Sequence, residues 1–538
     1  MKIFGQLVDI HSWSIYPAAI TIGGERIEQV ERLSIAPDIL ILPGLIDAHI
    51  HIESSMITPG AFAMAAVKHG TCGVVSDPHE IANVLGIKGV EFMIGDSKKV
   101  PLKFYFGAPS CVPATSFESN GADLDHNDVR KLLERRDIKY LSELMNFPGV
   151  INNDPGVMRK LACAKELGKP IDGHAPGLSG ESLRKYIEAG ITTDHECSTL
   201  SEAKEKISLG MKILIREGSA ARNLNSLKEL FKSDPGMVML CSDDLHPDML
   251  LTRHINKLIA ELISEGFDLF DVIRSATINP SIHYGLEAGL LRVGDYADFI
   301  TVDDLARMNV QETWINGKQV FAEGRVLFNY KAGRPINNFY CNRVTVPDIL
   351  VKNKKGKIRV IVAVDGELLT KETFWSPGTS EYLIPDIDND ILKIVVKDRY
   401  KDSPPVAAFI KGFGLKNGAF ASSIAHDSHN IIAVGTNDKD IVEVINEIIK
   451  LKGGLAVSSN GVVESLQLDI GGIMTTSPCE EIASDYEKLN KLLASMGCPM
   501  KAPFMTLSFM ALLVIPDLKI GDRGLFDVRT FQLAPLFV

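Results

Sequence analysis

The chain has 538 residues, 45% of them hydrophobic and 23% charged, the balance of a globular protein with ample core and roughly two to four domains rather than of a disordered or fibrous one. Its formal net charge of -11 excludes a general affinity for nucleic acid or an anionic membrane. The eight cysteines include no C-x-x-C pair, so neither a disulfide framework nor a zinc knuckle is signalled.

Asp9 and His11 interrupt any apolar run at the start, and the stretch from Phe504 to Ile515 is too short for a bilayer and ends at Pro516, so the chain is expected to be cytoplasmic. Residues 1–42 alternate apolar and polar side chains, Ile20 to Val30 above all, which predicts short strands and a hairpin. Ile39-Leu40-Ile41-Leu42 reads as a strand buried on both sides, and Pro43-Gly44 punctuates it. The run that follows, Leu45-Ile46-Asp47-Ala48-His49-Ile50-His51, ends on two histidines spaced i, i+2. In an extended strand that spacing puts both imidazoles on one face, where they can hold one metal ion.

From 43 to 284 strand-like segments alternate with helix-like ones. Gly73–Ser76, Lys103–Gly107, Lys139–Ser142, Pro170–Gly173 and Met237–Cys241 read as strands, and Glu181–Ala189 and His254–Ser264 as helices. Repeated strand-then-helix over this length predicts an α/β fold built on a (β/α)8 TIM-like barrel, whose strand tips converge on one face. Glu143, His174, His195 and Asp243 each follow a short apolar segment and so join His49 and His51 there. Four imidazoles and two carboxylates exceed what one catalytic zinc requires, and fit two divalent ions with Glu143 between them, holding a hydroxide.

Gly294–Val302 and Thr313–Val320 return to short strands, the second pair joined by an Asn316-Gly317 turn. Residues 1–42 and 285–340 are therefore expected to pair into one small β domain flanking the barrel. Lys352–Lys357 is a polar basic break, and 345–538 reads as an additional C-terminal α+β domain. Its Gly-rich, apolar tail either closes over the barrel mouth or builds a subunit interface.

Each site residue has a structural competitor. Glu143 could be a helix-start carboxylate beside a macrodipole. Of Asp243 and Asp244, one, by expectation Asp244, caps the helix after Leu245-His246-Pro247. Asp77-Pro78-His79-Glu80 reads as a turn opening a helix, and His79, Glu80 and Asp244 are candidates for substrate contact or proton relay. His426 and His429 are read first as a buried hydrogen-bonded pair at a domain interface, with a second metal site as the alternative. His11, His69, His126, His246, His254 and His283 take a structural reading. His51-Ile52-Glu53 matches half of the zinc nucleobase-deaminase signature, but no Pro-Cys-x-x-Cys follows.

Pro43 to Met56, Ser76 to Val84, Ser142-Glu143-Leu144-Met145-Asn146, Asp172 to Pro176, Cys241 to Asp244 and Ala425 to Asn430 together resemble the amidohydrolase superfamily, and within it the prokaryotic adenine deaminases. The first motif specifies the superfamily alone. His51-Ile52-Glu53-Ser54-Ser55-Met56, Asp77-Pro78-His79-Glu80 and His426-Asp427-Ser428-His429 narrow it. The resemblance covers nearly the whole chain and implies hydrolysis of adenine to hypoxanthine and ammonia, in purine salvage, at two metal ions, Mn2+ first with Fe2+ or Zn2+ as alternatives. It also implies a small purine as partner and a homo-oligomer, a dimer or larger. Asp243 is the expected proton shuttle, Glu143 the bridging carboxylate, and His195, Glu80 or Asp244 assist protonation of the ring. Opening of a cyclic amide or imide, deamination of another aminopurine, or a non-catalytic barrel scaffold are the alternatives.

Overall fold

The computed structural model describes all 538 residues. Eight strand segments make the barrel: β1 (Leu45–His51), β2 (Thr71–Ser76), β3 (Lys103–Ala108), β4 (Ile138–Leu144), β5 (Ile171–Gly173), β6 (Thr193–Asp194), β7 (Lys212–Arg216) and β8 (Val238–Cys241, resuming at Asp243–Asp244). β1 to β5 pair in parallel in sequence order, and so do β6 to β8. The resumed end of β8 pairs with β1, Asp243 opposite Ile50 and Asp244 opposite His51. The strand ladder is interrupted between β5 and β6, where a backbone bond from Thr192 N–H to Ile171 O at 2.9 Å carries the connection. The barrel is thus parallel and curled but not a continuous ladder. β1 is buried along its full length, with polar Asp47, His49 and His51 on one face alternating with apolar Ile46, Ala48 and Ile50 on the other.

The lead-in Leu40–Pro43 lies outside the barrel. It runs parallel to Lys2–Asp9 and antiparallel to Phe299–Val302, joining strands from both ends of the barrel segment into one eight-stranded sheet. At its far edge Val310–Ile315 and Lys318–Ala322 form the hairpin read from Asn316-Gly317, both residues at positive φ (50° and 70°) as a tight two-residue turn demands.

The C-terminal part has its own eight-stranded sheet, from Ile358–Val362 to Val462–Gln467, and a three-stranded one spanning Leu518–Ala534. Helix Asp438–Leu451 covers the larger sheet. Asn437 caps it by accepting from Asp440 N–H at 2.9 Å, and Ile441, Val444, Ile445 and Ile448 form its buried stripe. This unit is tied across the barrel mouth by Asn430 Nδ2 donating to Ser119 O (2.8 Å), Ser119 N–H to Asp522 Oδ1 (2.9 Å) and Thr475 N–H to Met56 O (2.8 Å).

Lys519 sets the inner face of that covering. Its buried ammonium donates to the carbonyls of Phe509 (2.9 Å) and Leu368 (2.5 Å), with no carboxylate in contact. Burial brings its pKa from 10.5 down to about 7. The folded state therefore binds fewer protons than the unfolded chain between those values, so stability rises with pH across that window and the penalty is complete below it. Lys519→Met is expected to flatten the rise, read as melting midpoints compared between about pH 7 and pH 10; an unchanged slope would assign the rise to other groups.

Candidate metal centre

The tips of β1, β4 and β8 and the turns after β5 and β6 bring six residues of the sequence reading into one buried cluster. His49 Nε2 and His51 Nε2 approach to 3.2 Å, and Asp243 Oδ1 lies 3.6 Å from the first and 3.2 Å from the second. On the other side His174 Nδ1 and His195 Nε2 stand 2.9 and 3.0 Å from Glu143 Oε2. The remaining oxygen, Glu143 Oε1, faces His51 Nε2 at 3.4 Å. One carboxylate thus presents one oxygen to each half of the donor set. Glu143 sits inside β4, which removes its reading as a helix-start acid.

This donor set fits divalent cations. His51 Nδ1 lies 3.2 Å from Asp77 O, the backbone carbonyl to which it can donate, and that tautomer leaves Nε2 as a ligand. His49 Nδ1 and His174 Nε2 are buried without partners. Burial raises the Glu143 carboxyl, but His195 and His174 reverse this and hold it well below the usual range. Burial likewise raises Asp243, while Arg216, His49 and His51 hold it well below. Both acids are therefore ionised where cations would sit.

The sequence reading missed the residues that hold this cluster. Asp47 accepts from Ser242 N–H (3.0 Å) and Ser242 Oγ, and His254 Nε2 lies at 2.9 Å, so the tips of β1 and β8 are locked together. Asp194 Oδ1 accepts from Ala175 N–H at 2.8 Å, and its other oxygen takes the fully buried Lys206 ammonium at 3.0 Å. Lys206 also donates to Ala175 O at 2.8 Å, fixing the backbone after His174 beside that of His195. Arg216 Nη1 donates to Asp243 Oδ2 at 2.7 Å, and its fork is filled by Glu196, with Nη2 2.9 Å from Oε2. A charged residue directly after the apolar run Ile213–Ile215 was the available signal.

Asp244 does not cap the following helix. His246 occupies the N-cap position of Pro247–Thr252, while Asp244 Oδ1 accepts from Ser54 Oγ. The proline at the first helical position sets the start two residues further on. His79 opens helix His79–Leu85 as expected, with Nδ1 3.4 Å from Glu143 Oε1 and Nε2 3.6 Å from Asp427 Oδ1. Glu80 is met by His426 and His429 of the C-terminal part, one against each oxygen. His69 and His254 are structural as read: His69 Nε2 lies 2.7 Å from Leu250 O, and His254 Nδ1 2.6 Å from Thr71 Oγ1.

A narrow cavity opens onto these groups, lined from the barrel by His79, Glu143, His195 and Asp244 and from the C-terminal part by Leu368, His426, Asp427, Phe509 and Leu512. The tail closes over the barrel mouth.

The amidohydrolase family model matches residues 40–320, and the model of the adenine deaminase C-terminal domain matches residues 367–532. A protein described as adenine deaminase from Methanosarcina mazei is 52% identical over 550 residues, covering 100% of this chain and 99% of its own length. One from Salinibacter ruber is 48% identical over 540 residues, covering 100% and 99%. One from Borreliella burgdorferi is 47% identical over 542 residues, covering 98% of each.

Proposed function

The chain belongs to the adenine deaminase family of the amidohydrolases, and on that premise we propose that it hydrolyses adenine to hypoxanthine and ammonia at a centre of two divalent cations, manganese first among them. The observation that carries the reading is Glu143, whose two oxygens face separate halves of a six-donor cluster in a chain alike over its full length to adenine deaminases.

His49, His51 and Asp243 would hold one cation, His174 and His195 the other, with Glu143 shared. When bound, the pair supplies Lewis-acid chemistry and makes water acidic enough to attack near neutral pH. Asp243 takes the proton of the attacking water on Oδ1 and passes it toward the departing amine. Arg216 keeps Oδ2 out of that exchange by donating to it at 2.7 Å. His79, between Glu143 and Asp427, is positioned to hold a proton for the ring, and Asp244 is kept nearby by Ser54. The C-terminal side chains exclude water from the ring face.

Ammonia release from adenine by manganese-loaded protein, beside a His49→Ala/His51→Ala variant with metal content measured for both, tests this. Robust release that falls at least about 10³-fold in the variant is expected, together with loss of bound metal. No release at two ions per chain would discard adenine and favour a cyclic amide, whose opening yields a carboxylate and no ammonia.

A further inference from the structure

Two consecutive residues of the C-terminal part, His426 and Asp427, line the cavity and have no role in holding the metal-centre side chains. His426 Nδ1 is engaged by Glu80 Oε1. Glu80 is itself fixed, its second oxygen against His429 Nε2 and its helix start anchored beside Asp77. No protein group hydrogen-bonds the other nitrogen, His426 Nε2, which is left to the cavity. The ring packs against Phe509, another lining residue, with centroids 5.4 Å apart at 31°.

Asp427 has the complementary character. Its Oδ1 stands 3.6 Å from His79 Nε2, beyond a good hydrogen bond, and its Oδ2 is buried with no partner. A carboxylate oxygen left this way is costly unless a donor arrives with a ligand. One imidazole ring, that of His79, lies between Asp427 and Glu143. An acceptor and an uncommitted ring nitrogen on consecutive residues therefore line one cavity, with the His79 ring between Asp427 and Glu143.

Free adenine offers a matching edge on the side remote from its amine: a ring N–H at N9 next to an unprotonated nitrogen at N3. A nucleoside lacks that N–H and carries a sugar in its place. Resting on adenine as the substrate, we infer that Asp427 accepts the N9–H and His426 Nε2 donates to N3, so that this pair reads the free base and rejects 9-substituted purines.

The groups facing His426 support a donor. Burial opposes charging the ring, but Glu80, Asp244 and Asp427 together raise its pKa to about 9, against His429 on its own element and His246 across the seam. At neutral pH the ring is then protonated on both nitrogens.

The test compares kcat/KM for adenine, 9-methyladenine and 3-deazaadenine in the full-length manganese-loaded enzyme and its Asp427→Ala and His426→Gln variants, with metal content and melting midpoint recorded for each. The unsubstituted enzyme is expected to prefer adenine to 9-methyladenine by about 10²-fold or more, since a site built around a hydrogen bond rejects an analogue lacking it. Asp427→Ala should lower kcat/KM for adenine by a similar factor and leave 9-methyladenine nearly unchanged, collapsing the preference. His426→Gln should do the same for adenine against 3-deazaadenine. The two variants act on different atoms, so one that fails to fold leaves the other decisive. Preferences preserved in every folded variant overturn the inference while adenine deamination stands. No ammonia from adenine in the unsubstituted loaded enzyme overturns both.

Discussion

Asp243→Asn is expected to lower kcat for adenine by about 10³-fold, the larger part of what a positioned proton-transfer group contributes. Asparagine keeps the shape and can still offer its carbonyl to Arg216, so packing at the end of β8 changes little. What it loses is basicity at Oδ1, the oxygen 3.2 Å from His51 Nε2 and 3.6 Å from His49 Nε2. Arg216 remains paired through Nη2 with Glu196 Oε2 at 2.9 Å, so no buried guanidinium is stranded and a stability loss would not confuse the result. The measurement is turnover at saturating manganese with bound metal quantified. A variant that holds both ions yet turns over within about tenfold of the parent would remove Asp243 from the proton path.

Lys206→Met is expected to cost about 3–5 kcal/mol, because it deletes one partner of a buried ion pair and leaves the Asp194 carboxylate unpaired. Lys206 and Asp194 are both wholly buried, and each holds the pKa of the other far from its ordinary value in the direction of charge. The expected fall in melting midpoint is about 3–4 °C when the whole chain unfolds as one unit. Metal affinity should fall too, about 10- to 100-fold, since Asp194 and Lys206 grip the N–H and the carbonyl of Ala175 between His174 and the next turn. Asp194→Asn should be milder, because Lys206 keeps Glu202 at 2.8 Å and the Ala175 carbonyl. Equal losses for the two substitutions would contradict the buried-charge account.

That the six candidate donors would meet was legible because chemistry imposes a local pattern on such residues. Histidines two apart at the end of an apolar strand have few other uses, and a lone acid or histidine at the next strand tips gains meaning from them. The supports had no such pattern. Arg216 is one basic residue after three apolar ones, and its partners lie 20 and 27 positions away. Asp47 stands inside the first histidine motif, but its role depends on Ser242 and His254, about two hundred residues on. The cap assigned to Asp244 failed because a proline fixes a helix start more firmly than an upstream acid attracts one. The late His-Asp-Ser-His motif could be read as buried, but Glu80 lies 346 residues before His426, and only the fold shows that they share a wall of the cavity.

That shared wall means the cavity is a seam between two bodies rather than a pit in one. Glu143, His195 and Asp243 are at most 5% exposed, and the narrow cavity along the seam is what reaches them. The substrate space therefore exists only where the two bodies meet, and any change in how they pack reshapes it without touching a donor side chain. The Glu80–His426 contact spans that seam, joining a helix of the barrel to the loop that covers it.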